Sequence, residues 1–196
     1  MHVRTYQKTD EQGWLRCRVL AFLNTAYFDN VLTKKETYVN SSIELVAIID
    51  DQIVGLLDLE YEESDHTVCT LGTGRGGMIW NVAIHPDFRR RGIAQTLLGE
   101  ALKRANKLGL EYLEAWTRDD EWVNTWYEKQ GFTKRSSYLH VYAEGTNEMD
   151  QWFDGVEIET KPQFLFAHYL GDEKERIKQS FQRVYECSGY VKTLLE

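Results

Sequence analysis

The chain is predicted to fold as a mixed α/β (α+β) domain, a sheet flanked by helices. Strand-sized apolar blocks at Ile43 to Ile49, Ile53 to Glu60 and Met78 to Ile84 carry the sheet. A helix follows them, because Ala94, Leu97, Leu98, Ala101, Leu102, Ala105 and Leu108 recur at the spacing of one helical face. With only two prolines, no low-complexity tract and 42% hydrophobic residues, the 196 residues supply one substantial core without an obvious linker.

Each element has its own signal. Met1 to Tyr6 reads as a first strand, and Asp10 is placed to cap a helix through Trp14, Leu15, Cys17, Val19, Phe22 and Leu23. Lys34 to Tyr38 reads as a further helical turn. Asp50-Asp51-Gln52 is a tight turn between two strands. Thr67 to Leu71 is expected to pair with Met78 to Ile84 as a hairpin. Gly109 stops the long helix, and Tyr112 to Trp116 is a strand. Asp119 or Asp120 caps a helix that ends near Gln130, and strands are expected at Phe132 to Lys134 and Tyr138 to Tyr142. Beyond Gly145 come an aromatic loop after Met149, a strand at Gln163 to Tyr169, and a terminal helix from Asp172 to Leu195 with Ile177, Phe181, Val184, Tyr185 and Tyr190 on it. Residues 1–144 are read as the main domain. Residues 145–196 are read as an extension packed on it, bordering the substrate site or a dimer contact.

Charge and composition exclude several classes. A net charge of −8 argues against a nucleic-acid or anionic-membrane partner, either of which needs a basic face. No apolar run approaches spanning length, and Met1-His-Val-Arg-Thr-Tyr has no apolar stretch for export. Cys17, Cys69 and Cys187 are odd in number and far apart, which points to a reduced, cytoplasmic setting.

The most informative stretch runs from Trp80 to Leu97. An apolar strand enters a loop carrying Pro86; Arg89, Arg90 and Arg91 follow, and Gly92-Ile93-Ala94 opens the long helix. A helix start leaves N–H groups without partners and adds partial positive charge, while Gly92 lets an anion approach the backbone. Three adjacent guanidinium groups repel one another unless an anion sits among them. This is a pyrophosphate cradle, and it lacks the Lys-Ser/Thr ending of a nucleoside-triphosphate loop. Gly72-Thr-Gly74-Arg-Gly-Gly77 also satisfies the dinucleotide pattern, but Gly77 leads into a strand rather than a helix, so it is read as a loop beside the cleft.

Arg89-x-x-Gly92-x-Ala94 after Val-Ala-Ile-His-Pro resembles the acyl-CoA motif of the GNAT N-acetyltransferase superfamily. Trp126-Tyr127-Glu128-Lys129-Gln130-Gly131-Phe132 resembles the motif that closes the same fold, so the likeness covers residues 78 to 133. The resemblance implies a mostly antiparallel central sheet with splayed strands at the acyl-CoA site. It implies acetyl-CoA as co-substrate, held by Arg89, Arg90, Arg91, Gly92, Ile93, Ala94, Gln95 and Thr96, with the arm beside Val82, Ala83 and Ile84. The backbone N–H near Val82 would polarise the thioester carbonyl. Tyr127 would return a proton to the leaving thiolate. No metal is implied.

The implied reaction is direct transfer of acetyl from acetyl-CoA to a primary amine of a small, cationic molecule. Some family members carry a glutamate as base where Met78 stands here, and family members often have an asparagine where Asp120 stands. Glu60, Glu62, Glu114, His85 or a water chain remain as candidates for the base. Trp14, Phe22, Tyr27, Phe28, Trp80, Trp116 and Tyr138 are candidates for an aromatic acceptor pocket, with Trp122 beside the cofactor groove and Trp126 in the core. Acetylation of a protein N-terminus or lysine, a non-catalytic acyl-CoA sensor, and a phosphoryl-transfer enzyme are the alternatives. The missing triphosphate cradle weighs against the last.

Overall fold

The computed structural model describes residues 1–64, 66–149 and 163–194. An eight-stranded sheet runs β1 (His2–Thr5), β2 (Ser42–Ile49), β3 (Gln52–Tyr61), β4 (Gly76–Ile84), β5 (Tyr112–Thr117), β8 (Arg183–Thr193), β6 (Thr133–Glu144), β7 (Phe164–Tyr169) across its width. Every neighbouring pair is antiparallel except β4 and β5. The mixed, mostly antiparallel fold expected from the sequence is therefore present. Helix α1 (Glu11–Phe22) packs Trp14, Leu15, Cys17 and Ala21 against Val46, Ile48, Leu56 and Ala83 on one face. On the opposite face, α2 (Ile93–Lys107) buries Ile93, Leu97, Leu98, Ala101 and Ala105 with Leu57, Leu59, Ile79, Leu113 and Ala115. Helix α3 (Glu121–Lys129) adds Tyr127 to that same core.

Turn chemistry agrees with the sequence at both tight points. Asp50 and Asp51 both have positive φ (47° and 60°), the pairing a type I′ hairpin requires. Gly131 (φ 81°) ends α3, where a left-handed residue closes the last turn. The two expected helix caps fall at the correct positions but act differently. The Asp10 carboxylate pairs with Arg4 at 2.6 and 2.8 Å, and the Asp120 carboxylate accepts the Ala26 N–H at 3.1 and 3.2 Å. Asp119 accepts the Glu186 N–H at 3.1 Å.

Four expected elements are corrected. Lys34 to Tyr38 is irregular rather than helical. There the amides of Lys35, Val39 and Asn40 go to the carboxylates of Glu11 and Glu60, which replaces the helical ladder. Thr67 to Leu71 is likewise not a strand: Val68 and Cys69 donate to Glu62, and Thr70 and Leu71 donate to Glu114. Residues 133–144 form one continuous strand, bulged between Lys134 and Ser136, in place of two. The terminal helix is only α5 (Lys174–Ser180); the rest of that segment is β8. Strand formation wins there because Val184, Tyr185, Tyr190 and Val191 suit a pleated surface, and Gly189 gives room for the Trp116 ring, whose atoms lie 2.7 Å from where a Cβ would stand. A short helix α4 (Gly145–Met149) precedes the aromatic loop, and that loop lies outside the described residues.

Strand β8 inserts between β5 and β6 and brings Glu186 to Lys134 (3.3 Å), Lys174 (3.5 Å) and the Ser137 hydroxyl (2.7 Å). The Ser137 hydrogen bond, then the lysines, hold its carboxyl down at about 2. A carboxyl depressed in the folded state stabilises above its unfolded pKa and loses that contribution as pH falls. Replacing Glu186→Gln is therefore expected to destabilise the fold at pH 6 and to cost progressively less towards pH 2, as urea unfolding at a series of pH values would read.

Candidate active site: an anion nest at a strand fork

The fork comes from sheet registry. Strand β4 pairs with β5 only from Gly76↔Tyr112 to Ile79↔Ala115, so Trp80 to Ile84 have no neighbour on that side. The register of β3 against β4 shifts between Asp58 and Leu59, leaving Trp80 as the extra residue of a bulge. Past the bulge, the His85 N–H donates to the Val54 carbonyl at 2.9 Å. In an antiparallel ladder such bonded pairs alternate with unbonded ones. Ala83 thus turns its peptide groups to β3, whereas Val82 and Ile84 turn theirs into the gap.

The loop beyond the fork is shaped to hold an anion. Arg90 (φ 60°) and Gly92 (φ 75°) are both left-handed, a conformation that curls successive N–H groups into one concavity. The first helical bond is Thr96 N–H to Gly92 O at 3.0 Å. Among the described residues, the amides of Arg90 through Gln95 have no intramolecular acceptor. A Cβ at Gly92 would meet nothing within 4 Å, so glycine serves the backbone angle and open access rather than relief of a clash.

The arginines divide. Arg89 lies inward, its guanidinium on the Ala21 carbonyl at 2.6 Å and 5.0 Å from the centre of the Trp122 ring. Arg91 caps the Asp87 carbonyl at 3.1 Å, over the Phe88 ring. Arg90 and Arg91 are exposed. Ile93 is buried in the core and supports the helix start from below, Ala94 and Gln95 present backbone, and the Thr96 hydroxyl is bonded to the Gly92 carbonyl at 3.1 Å.

Tyr127 is 5% exposed, flanked by Trp126, Phe132 and Tyr190 with ring centres 5.0 to 5.6 Å away. Its hydroxyl has no hydrogen-bond partner among the described residues, and burial pushes its pKa up, which keeps the phenol protonated at neutral pH. Asn124 donates to the Arg118 and Asp120 carbonyls and accepts from the Tyr190 hydroxyl at 2.9 Å, which fixes the first turn of α3.

The expected base candidates prove to be occupied as loop anchors. Glu60 accepts from the Val39 and Asn40 amides, the Asn40 side chain and the Trp80 indole. Glu62 accepts from Val68, Cys69 and Gly76; burial raises its pKa, but these N–H groups outweigh it and hold the carboxyl below its usual range. Glu114 accepts from Thr70, Leu71 and Trp116. His85 is buried against Phe88, its Nδ1 accepting the Asp87 N–H at 3.3 Å. Glu114→Gln would turn an amide against clustered N–H donors. It is expected to lower stability by about 2 kcal/mol in thermal unfolding, without altering the pH dependence of turnover.

The aromatic candidates do not form one wall. Trp14 is core, Phe22 packs on Tyr27, and the Tyr27 hydroxyl accepts the Arg118 N–H. Trp116 packs on Tyr138, the rings tilted by 50° with centres 5.2 Å apart. Trp80 is half-exposed: the bulge turns its indole N–H to Glu60, on the face of the sheet that carries Asp58 and Asn81. Sequence reasoning passed over those two residues. An acid in the middle of an apolar strand was the available signal.

Residues 40–134 match the acetyltransferase (GNAT) domain family. With the forked strands, the amide nest and this match in place, the chain belongs to the GNAT superfamily. Over 134 residues it is 28% identical to an acetyltransferase of Pectobacterium atrosepticum, covering 66% of this chain and 85% of that protein. The fold is similar to the Bacillus subtilis acetyltransferase in complex with CoA (TM-score 0.55, 14% identity, 99% of each chain). It is also similar to the ribosomal-protein-S18-alanine N-acetyltransferase of Escherichia coli (TM-score 0.58, 12% identity, 100% of this chain and 94% of that one). No helix among the described residues is long and apolar enough to cross a membrane. A GNAT domain in this chain accounts for both the fork and the nest.

Proposed function

We propose that this GNAT protein is an N-acetyltransferase, moving acetyl from acetyl-CoA to the primary amine of a small, cationic molecule in a ternary complex. The observation that carries the reading is the run of unpartnered amides from Arg90 to Gln95 beside exposed Arg90 and Arg91, opening onto a strand whose Val82 and Ile84 face a gap. The amides and guanidinium groups would hold the pyrophosphate. Peptide groups of Val82 and Ile84 would bond the pantetheine arm, and the Val82 N–H would meet the charge that develops on the thioester oxygen. Tyr127 would protonate the departing thiolate.

A cationic acceptor is favoured by the electrostatics of the same corner. The exposed Glu36 carboxylate accepts from Asn81 Nδ2 at 2.9 Å, and Trp80, next to Asn81 in the chain, is half-exposed. A carboxylate and an aromatic face together suit an ammonium group. The net charge of −8 adds long-range attraction. The test is release of free thiol from acetyl-CoA across a panel of small amines, polyamines, and peptides with free N-termini. Turnover confined to peptides would overturn the small-molecule reading, and binding without turnover on any acceptor would leave a sensor.

A further inference from the structure

Asp58 lies in the middle of β3, fully buried, on the face that α1 covers. Its Oδ2 accepts the Tyr38 hydroxyl at 3.0 Å and pairs with Lys35 Nζ at 3.2 Å. Its Oδ1 has no donor. The other buried acids on this face, Glu60, Glu62 and Glu114, each have N–H donors on both oxygens. A buried carboxylate with one oxygen lacking a donor is costly, and a proton on the carboxyl group lowers that cost by removing its charge.

The surroundings favour a proton. Lys35 is shared with Glu44 at 2.7 Å and sits among the rings of Tyr6, Trp14 and Tyr38. From α1, Arg18 donates to Asn81 Oδ1 at 2.9 Å, and Glu11 accepts the Lys35 N–H at 3.0 Å. Glu36 reaches Asn81 from the segment above. Lys35 and Arg18 thus face Asp58, Glu44, Glu36 and Glu11, a surplus of negative charge around one incompletely bonded acid. Burial, offset only in part by Lys35, pushes the Asp58 carboxyl up to about 6. Burial likewise raises the Tyr38 phenol, which stays protonated.

This cluster borders the fork. Asp58 pairs with Asn81, the residue before Val82, and Asn81 Nδ2 lies 3.3 Å from the Tyr38 oxygen. Tyr38 is half-buried; its hydroxyl donates to Asp58 and accepts from Asn81, which leaves one lone pair on its oxygen for an incoming group. We infer that Tyr38 accepts a proton from the incoming ammonium while passing its own to Asp58, so that the pair delivers neutral amine beside Asn81. The inference rests on the acetyl-transfer reading. In the step, an N–H bond breaks as an O–H bond forms at Tyr38. The original Tyr38 O–H breaks as a bond to Asp58 Oδ2 forms. Ammonium becomes amine, carboxylate becomes carboxyl, and nothing is oxidised or reduced. Tyr38 is the catalytic group, and Asp58 acts through it. After product leaves, the reverse hop through Tyr38 returns the proton to water.

The test is kcat/KM against pH for wild type, Asp58→Asn and Tyr38→Phe. It uses acetyl-CoA with the primary amine that wild type acetylates fastest, and with hydroxylamine, which is already neutral at pH 7. Asp58 must be ionised to receive a proton, so wild-type kcat/KM is expected to fall as pH drops through about 6. Asp58→Asn should lose on the order of 100-fold at pH 7. It should then regain about tenfold per pH unit as free amine accumulates in solution, and should stay near wild type with hydroxylamine. Tyr38→Phe leaves the Asp58–Lys35 pair in place and should behave the same way, which separates the relay from a folding defect. Variant profiles parallel to wild type, or losses equal at every pH and for both acceptors, would overturn the relay while acetyl transfer stands. Absence of wild-type turnover on every acceptor would remove both.

Discussion

Arg90→Glu combined with Arg91→Glu is expected to weaken acetyl-CoA binding by about 100-fold or more in calorimetric titration, with the melting temperature nearly unchanged. Both side chains are exposed and neither supports the core, so reversal should perturb stability by no more than about 0.5 kcal/mol. Binding is another matter. Each charged hydrogen bond contributes about 1.5–3 kcal/mol, and the reversal adds repulsion where an anion must sit. The neutral pair Arg90→Gln and Arg91→Gln should fall between, and wild-type affinity should decline with salt, because exposed charges are screened within about 10 Å at 0.1 M. Unchanged binding by the double reversal would place the pyrophosphate elsewhere. Arg89 is a poorer test, because its guanidinium ties α1 to Trp122 and its loss disturbs packing.

Tyr127→Phe is expected to lower kcat on the order of 100-fold with little change in KM. The ring is held by Trp126, Phe132 and Tyr190, and phenylalanine keeps all three contacts. The hydroxyl forms no hydrogen bond among the described residues, so its removal takes nothing from the fold. Protonation of the thiolate is the function lost. Single-turnover measurement with saturating acetyl-CoA separates that step from binding, and undiminished turnover would return Tyr127 to a packing role.

The parts of this molecule that were legible in the sequence are those governed by local rules. The α2 stripe from Ala94 to Leu108, the Asp50-Asp51 turn and the Gly131 stop depend on neighbours a few residues away, and each is where the pattern put it. Arg89 to Gly92 was readable for the same reason, since a helix start makes its own unpaired amides. Elements that failed depend on distant carboxylates. Lys34 to Tyr38 and Thr67 to Leu71 have sequences compatible with regular structure, yet the Lys35 amide goes to Glu11, the following Val39 and Asn40 amides to Glu60, and those of Val68 to Leu71 to Glu62 and Glu114. The same long-range bonds explain why Glu60, Glu62 and Glu114 looked like free bases. Asp10 and Asp120 were correctly placed but are bonded to Arg4 and Ala26, partners that spacing cannot reveal. Strand β8 was hidden because Ile177, Phe181, Val184 and Tyr185 also suit a helical stripe, and only the partners on either side decide between them.

The placement of β8 bears on how the molecule is made. Strands β5 and β6 follow one another in the chain with only α3 between them, yet they never touch along their length; residues 183–193 fill the space. During synthesis, Glu114 and Tyr138 therefore wait with open backbone edges until that last strand emerges. Non-local pairing of this kind is slow, and open edges invite pairing with other chains. Assembly should stall with β1 to β5 ordered, and a nascent chain cut before Arg183 should remain vulnerable to protease across β6 and β7.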